Sequence, residues 1–205
     1  IDHSTTQNPQ IYKYFIYIII KMATVFEGGY LKVILGPMFA GKTTNIINEF
    51  NKYSCMGYKC IAINHSIDDR YGEDVVSSHN HIKIPSINTN TLYKIKDKIM
   101  DKKVLFINEG QFFEDLYNFV SEMLENDKII FVCGLDGDYQ RKKFGSILDI
   151  IPLADEVKKV NGICHNCKKR KSLFTHRIIK EGGQIVVGNQ NMYMALCRLC
   201  YRTLN

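Results

Sequence analysis

The stretch Gly36-Pro37-Met38-Phe39-Ala40-Gly41-Lys42-Thr43 fits the pattern G-x-x-x-x-G-K-[ST], and its flanks decide the fold. The apolar run Leu31-Lys32-Val33-Ile34-Leu35 leads into it as a buried strand does. A helical pattern leaves it, with Ile46, Ile47, Phe50 and Tyr53 on one face. In that setting the glycines bend backbone N–H groups around phosphates at a helix N-terminus. Lys42 is placed to reach the β/γ-phosphates as a point charge, and the Thr43 hydroxyl to ligate Mg²⁺; Thr44 has no comparable claim. The bland alternative is a glycine-rich turn of purely structural use.

Working outward, strand and helix alternate. Lys59 to Asn64 reads as a second strand after the stop signal at Gly57. His65 to His81 reads as a long polar loop at an active-site rim, carrying Asp68-Asp69-Arg70-Tyr71; an ordinary solvated loop is the alternative. Leu92, Ile95, Ile99 and Met100 mark an amphipathic helix, Lys103 to Asn108 a strand, and Leu116 to Leu124 a helix. Ile129 to Cys133 marks another strand. Such alternation predicts an α/β fold in which a parallel sheet is covered on both faces, with ligands outside the carboxyl ends of its strands. Gly36, Glu109 and Gly134-Leu135-Asp136-Gly137 each follow a strand and are expected to meet on one edge.

Composition sets bounds. At 205 residues and 45% hydrophobic the chain can bury one main core with a small appendage. The net charge of +6 is scattered except at Lys168-Lys169-Arg170-Lys171, so an anionic ligand accounts for it without a nucleic-acid partner. The apolar tract Ile11 to Ile20 falls short of the ~20 residues a membrane span needs, and no membrane partner is expected. Residues 1–21 are expected to be a non-native or disordered extension, because Met22-Ala23-Thr24 begins a more ordinary N-terminus. The seven cysteines are odd in number and argue against a disulfide framework. Cys55, Cys60 and Cys133 read as small buried hydrophobes.

Past Pro152 the pattern changes, with a boundary near residues 155 to 162. Cys164-His165-Asn166-Cys167 and Cys197-Arg198-Leu199-Cys200 form two C-x-x-C pairs separated by 29 residues. Four thiolates complete a closed tetrahedral Zn²⁺ site, which holds a segment too small for its own core; a redox dithiol is the rival reading. His165 and His176 read as surface or satisfied core residues. The connection from Gly182 to Tyr193, with Gly183 and Gly188, reads as a metal-pinned loop whose backbone faces a ligand, with Tyr193 closing over an aromatic ring. Glu109 at a strand end opposite the phosphate loop reads as a general base for an attacking hydroxyl, or else as a solvated turn charge.

Together these residues resemble the type II thymidine kinases. The resemblance runs from about Gly29 to Thr203. It is carried by the stretch at 36–43, Asp-Asp-Arg-Tyr at 68–71, Glu-Gly-Gln-Phe-Phe at 109–113, Gly-Leu-Asp-Gly-Asp-Tyr-Gln-Arg-Lys-Lys-Phe-Gly at 134–145, and Cys-Arg-Leu-Cys-Tyr at 197–201. It implies a P-loop (RecA-like) parallel sheet over residues 22–158 and a small C-terminal zinc-binding β-ribbon, or lasso, over 159–205. It implies transfer of the γ-phosphate of ATP to the 5′-hydroxyl of thymidine, with Glu109 as general base. Gly36 to Thr43 and Arg70 would contact ATP, and Thr43, Asp68 and Asn108 would serve Mg²⁺. Met38, Phe112, Leu135, Tyr139, Phe144, Val186 and Tyr193 would form the thymidine pocket, and Cys164, Cys167, Cys197 and Cys200 would hold structural zinc. It further implies a cytoplasmic homotetramer with feedback inhibition by thymidine triphosphate.

Two positions depart from the family: Asn108 stands where Asp is usual and Tyr139 where Phe is commoner. A zinc-ribbon nucleic-acid-binding ATPase and an inactive nucleotide-binding subunit stay open as rival readings.

Overall fold

The computed structural model describes residues 28–67, 75–77, 82–179, 183–184, 188 and 191–204. The N-terminal tract read as an extension, and Asp68, Arg70 and Val186, lie outside these residues. Strand β1 (Tyr30–Leu35) leads into α1 (Lys42–Cys55), followed by β2 (Cys60–His65), β3 (Val75–Ser77) and β4 (Lys83–Thr89). A 3₁₀ turn (Leu92–Ile95) runs into the short α2 (Lys96–Ile99), then β5 (Val104–Ile107), a 3₁₀ turn (Gly110–Phe112), α3 (Leu116–Glu125) and β6 (Ile129–Gly134). After another 3₁₀ turn (Ile151–Leu153) come β7 (Glu156–Lys159), β8 (Phe174–Arg177), β9 (Tyr193–Leu196) and α4 (Arg198–Leu204).

The main sheet has seven strands in the order β3-β4-β2-β5-β6-β1-β7, and β8 and β9 form a separate two-stranded sheet. All neighbours in the main sheet are parallel except β3 and β4. This is the expected P-loop α/β fold. Every residue of β5 and β6 is buried, which explains why they read as continuous apolar runs. Successive side chains serve opposite faces. Leu105, Ile107, Ile130 and Val132 pack with Leu116, Phe119, Val120 and Met123 of α3. Val104, Phe106, Ile129 and Phe131 pack with Ile46, Ile47 and Tyr53 of α1. On the α1 face Phe106 and Phe131 stack, with ring centroids 4.9 Å apart, and Phe50 tilts against Phe106 at 5.3 Å. Helix α1 stops where expected: Gly57 takes φ 83°, and its N–H donates to the Ser54 carbonyl.

The structure departs from the sequence expectations in five places, the first being β4 (Lys83–Thr89), a strand in a stretch to which the sequence assigned no element. Val75–Ser77 is a strand inside the stretch read as loop, pairing antiparallel with β4; three residues are too few to show a period. The segment read as one helix from Leu92 is a 3₁₀ turn followed by one α-helical turn, and Met100 is exposed. Strand β7 is exposed along its whole length, so its Glu-Val-Lys-Lys sequence carries no apolar signal, as suits a charged sheet edge. Of the cysteines read as buried, Cys133 is buried, Cys60 is half-buried and Cys55 is exposed.

Phe106 is fully buried at the centre of the aromatic stack, so Phe106→Ala is expected to cost about 3–5 kcal/mol in urea unfolding. Tyr117→Ala on the exposed side of α3 should stay within about 0.5 kcal/mol; equal effects would contradict this account of the core.

Candidate functional site

Register places the site. Leu35 pairs with Gly134, and Ile107 with Val132, so the chain leaves β1, β5 and β6 on one edge of the sheet. The loop at 36–43 is fitted closely to that edge. A Cβ at Gly36 would lie 2.3 Å from the Val160 carbonyl oxygen just past β7, so only glycine fits. Gly41 takes φ 80° as the chain turns into α1, and Phe39 takes φ 60° without being glycine. Lys42 is buried, and its Nζ donates to the Pro37 carbonyl at 2.8 Å, closing the loop on itself.

The loop is also buttressed from the ribbon. The Met38 N–H donates to Thr175 Oγ1 at 3.0 Å, from the first strand of the ribbon. The Phe39 ring stacks on His165 with centroids 5.3 Å apart. His165 therefore has a structural partner, and burial holds its imidazole below the usual histidine range.

Glu109 follows β5 with φ 53° and opens the 3₁₀ turn. Its Oε2 accepts from Gln111 Nε2 at 2.7 Å, and Gln111 Oε1 accepts the Leu135 N–H at 3.0 Å. Asn108 is buried and turned inward: its Nδ2 donates to Asn64 Oδ1 at 2.9 Å, and its Oδ1 accepts the Cys133 thiol at 3.1 Å.

Four of the residues read as a base pocket are gathered into two aromatic groups. Phe112 and Phe144 meet edge to face at 5.5 Å. Tyr139 and Tyr193 are joined by Arg177, a buried side chain of β8 whose guanidinium lies 3.8 Å from the Tyr139 ring centroid. Arg177 also donates to the Gly183 carbonyl at 2.5 Å. Burial pushes the Tyr193 phenol up, and its hydrogen bond with Arg177 partly offsets this. Gln184 donates to Asp138 Oδ2 at 2.7 Å, and Tyr201 donates to the Tyr139 carbonyl at 2.6 Å. The hydroxyl that Tyr139 adds over the commoner Phe accepts from Gln140 Nε2 at 3.2 Å.

Sequence reasoning did not single out Thr175, Arg177, Gln111 or Asn64. For Thr175 and Arg177 the sequence carried no signal, because both are buried while Phe174 and His176 beside them are half-buried, the reverse of the usual apolar-in alternation. Gln111 lay inside the quoted Glu-Gly-Gln segment without being assigned a function.

The four C-terminal cysteines converge, with all their sulfurs within 4.8 Å of one another. Zn–S bonds of about 2.3 Å in a tetrahedron put sulfurs about 3.8 Å apart, so the cluster fits a metal ion such as zinc. Backbone hydrogen bonding, chiefly from Lys169, draws the Cys167 thiol down to about 6. The Cys200 N–H, 3.5 Å from Cys197 Sγ, is the main cause that lowers Cys197. Both effects favour the thiolate at those two positions, whereas at Cys200 a hydrogen bond with Asn166 is outweighed by burial and the neighbouring thiols, which push it up to about 11.

The fold and site thus define a phosphate-loop α/β protein with an appended four-thiolate ribbon. The family model described as "Thymidine kinase" matches residues 29–201. The thymidine kinase of Sheeppox virus (strain KS-1) is 40% identical over 173 residues, covering 84% of this chain and 97% of that protein. Those of Raccoon poxvirus and Vaccinia virus (strain Ankara) are 39% and 38% identical over 175 residues, covering 85% of this chain and 98% of each. The chain belongs to the thymidine kinase family.

The thiol cluster predicts about one bound metal ion per chain by elemental analysis. Chelation should make Cys164, Cys167, Cys197 and Cys200 newly reactive to a thiol reagent, and Cys197→Ser should lose most of the metal. Full thiol reactivity before chelation would contradict a metal centre.

Proposed function

We propose that this chain is a thymidine kinase that transfers the γ-phosphate of ATP to the 5′-hydroxyl of thymidine, with Glu109 as general base. The observation that carries the assignment of Glu109 is its exit from β5 on the sheet edge shared with the loop at 36–43, its carboxylate held by Gln111. Lys42 exchanges its bond to the Pro37 carbonyl for a phosphate oxygen, and the amides of Gly36 to Gly41 close around the phosphates. Thr43 and Asp68 would hold Mg²⁺, which when bound with ATP neutralises phosphate charge; Arg70 adds a cation there. Glu109 takes the proton as the 5′-oxygen attacks, an effect worth about 10²–10⁴-fold. Met38, Phe112, Leu135, Tyr139, Phe144 and Tyr193 supply flat apolar walls for a pyrimidine, and the backbone around Val186 reads its edge.

The donor set of the ribbon favours zinc in a structural role. The Cys167 and Cys197 sulfurs raise the Arg170 guanidinium above its usual range, which favours a charge serving the cysteine knuckle over a nucleic-acid stripe. Family resemblance supports a cytoplasmic homotetramer with feedback by thymidine triphosphate. Among the described residues no helix is long and apolar enough to cross a membrane.

A nucleoside panel with ATP tests the reading. Wild type should phosphorylate thymidine and leave purine nucleosides untouched, and Glu109→Gln should lose at least about 100-fold in kcat while still binding thymidine. Equal use of purines would undo the substrate assignment. For the metal, Asn108→Asp should restore a negative charge near Mg²⁺ and lower the Mg²⁺ concentration at half-maximal rate several-fold. An unchanged Mg²⁺ dependence would remove Asn108 from the metal's surroundings.

A further inference from the structure

We propose that Gln111 is a positioning residue that fixes the Glu109 carboxylate and ties it to the wall of the acceptor pocket; this rests on the reading of Glu109 as general base. Gln111 is 3% exposed, and both ends of its amide are used. Nε2 donates to Glu109 Oε2 at 2.7 Å, and Oε1 accepts the Leu135 N–H at 3.0 Å. The chemistry fixes which way the amide faces. A backbone N–H only donates, so the amide oxygen must turn to Leu135, and this leaves the NH₂ group for the carboxylate.

Space is reserved for this arrangement. A Cβ at Gly134 would lie 2.2 Å from Gln111 Oε1, and one at Gly145 would lie 1.9 Å from the Gln111 carbonyl oxygen. Gly145 also takes φ 58°. Gly134 thus admits the side-chain amide, and Gly145 admits the backbone of the same residue. Glu109 follows β5 and Leu135 follows β6, which are adjacent strands. One amide therefore bolts together the exits of two strands, one carrying the base and the other a residue of the pyrimidine wall. Without it, the Glu109 carboxylate would lose its hydrogen bond from Gln111, and misplacement of a reacting group by about 1 Å costs on the order of 100-fold in rate.

Substitutions at 111 separate positioning from stability. Gln111→Glu keeps an acceptor for the Leu135 N–H but sets a second carboxylate against Glu109, and two carboxylates sharing a site retain one proton between them. The acid limb of its kcat/KM profile for thymidine should move up by about one pH unit or more. Gln111→Met, of similar length without donor or acceptor, should lose about 10- to 100-fold in kcat while the KM for ATP stays within about twofold. A side chain that merely fills space would lower the thermal midpoint of both variants and leave the acid limb and kcat per folded enzyme where they are in wild type. That result, with Glu109→Gln inactive, would overturn the role of Gln111 and leave the kinase reading standing. Turnover undiminished in Glu109→Gln would remove the base itself and this proposal with it. Should Gln111→Glu fail to fold, the kcat of Gln111→Met decides.

Discussion

Parallel pairing of β1, β6 and β5 is the constraint on which the rest depends. Parallel strands in register must release their chains on the same edge, and the pairings of Leu35 with Gly134 and Ile107 with Val132 bring three exits together. The three segments released there differ in chemistry: a glycine-rich loop, a carboxylate, and a turn carrying apolar side chains. No local interaction between them is needed to bring them close. The cost of closing those long loops is met by the two packed faces of the sheet, with α1 on one side and α3 on the other. The site then requires only short-range fitting, which the Gln111 amide and the glycines at 36, 134 and 145 supply.

The ribbon is a second support for the same loop. A two-stranded antiparallel unit is marginal by itself, and its small apolar cluster consists largely of the cysteines together with Leu196 and Tyr201. Thiolate coordination is a sufficient physical reason for it to hold shape. Its strands then project Thr175 to the Met38 amide and Arg177 between Tyr139 and Tyr193, while its first knuckle presents His165 to Phe39. The loop at 36–43 is therefore bounded on one side by the sheet and on another by the unit that carries the four cysteines.

What was legible in the sequence follows from where each signal resides. Strands β1, β5 and β6 are buried on both faces, so they are apolar almost throughout and could be read directly. The loop at 36–43 and the cysteine pairs are fixed by residue type at fixed spacing. Strands β3 and β7 were hidden because one is three residues long and the other is wholly exposed. The buttresses were hidden for another reason. Met38 and Thr175 are 137 positions apart, and Gln111 and Leu135 are 24 apart, so only the fold brings them together. Glu109 could be suspected from its strand end, whereas the residue holding it could not.

Asn108 shows how a departure from the family pattern is accommodated. Its amide donates to Asn64 and accepts from Cys133, which uses both kinds of hydrogen-bonding capacity that an amide offers. A carboxylate at 108 has acceptors only. It could keep the Cys133 thiol, but it would face the Asn64 carbonyl oxygen until that side chain turned its own NH₂ inward. A buried charge is tolerated only when its neighbours donate to it, and Asn64 can donate only after a flip that also disturbs its other contacts. The buried pair is thus fitted to a neutral network. Any charge placed at 108 would therefore have to be matched by Asn64, and the two buried residues are best regarded as one unit at the exit of β5.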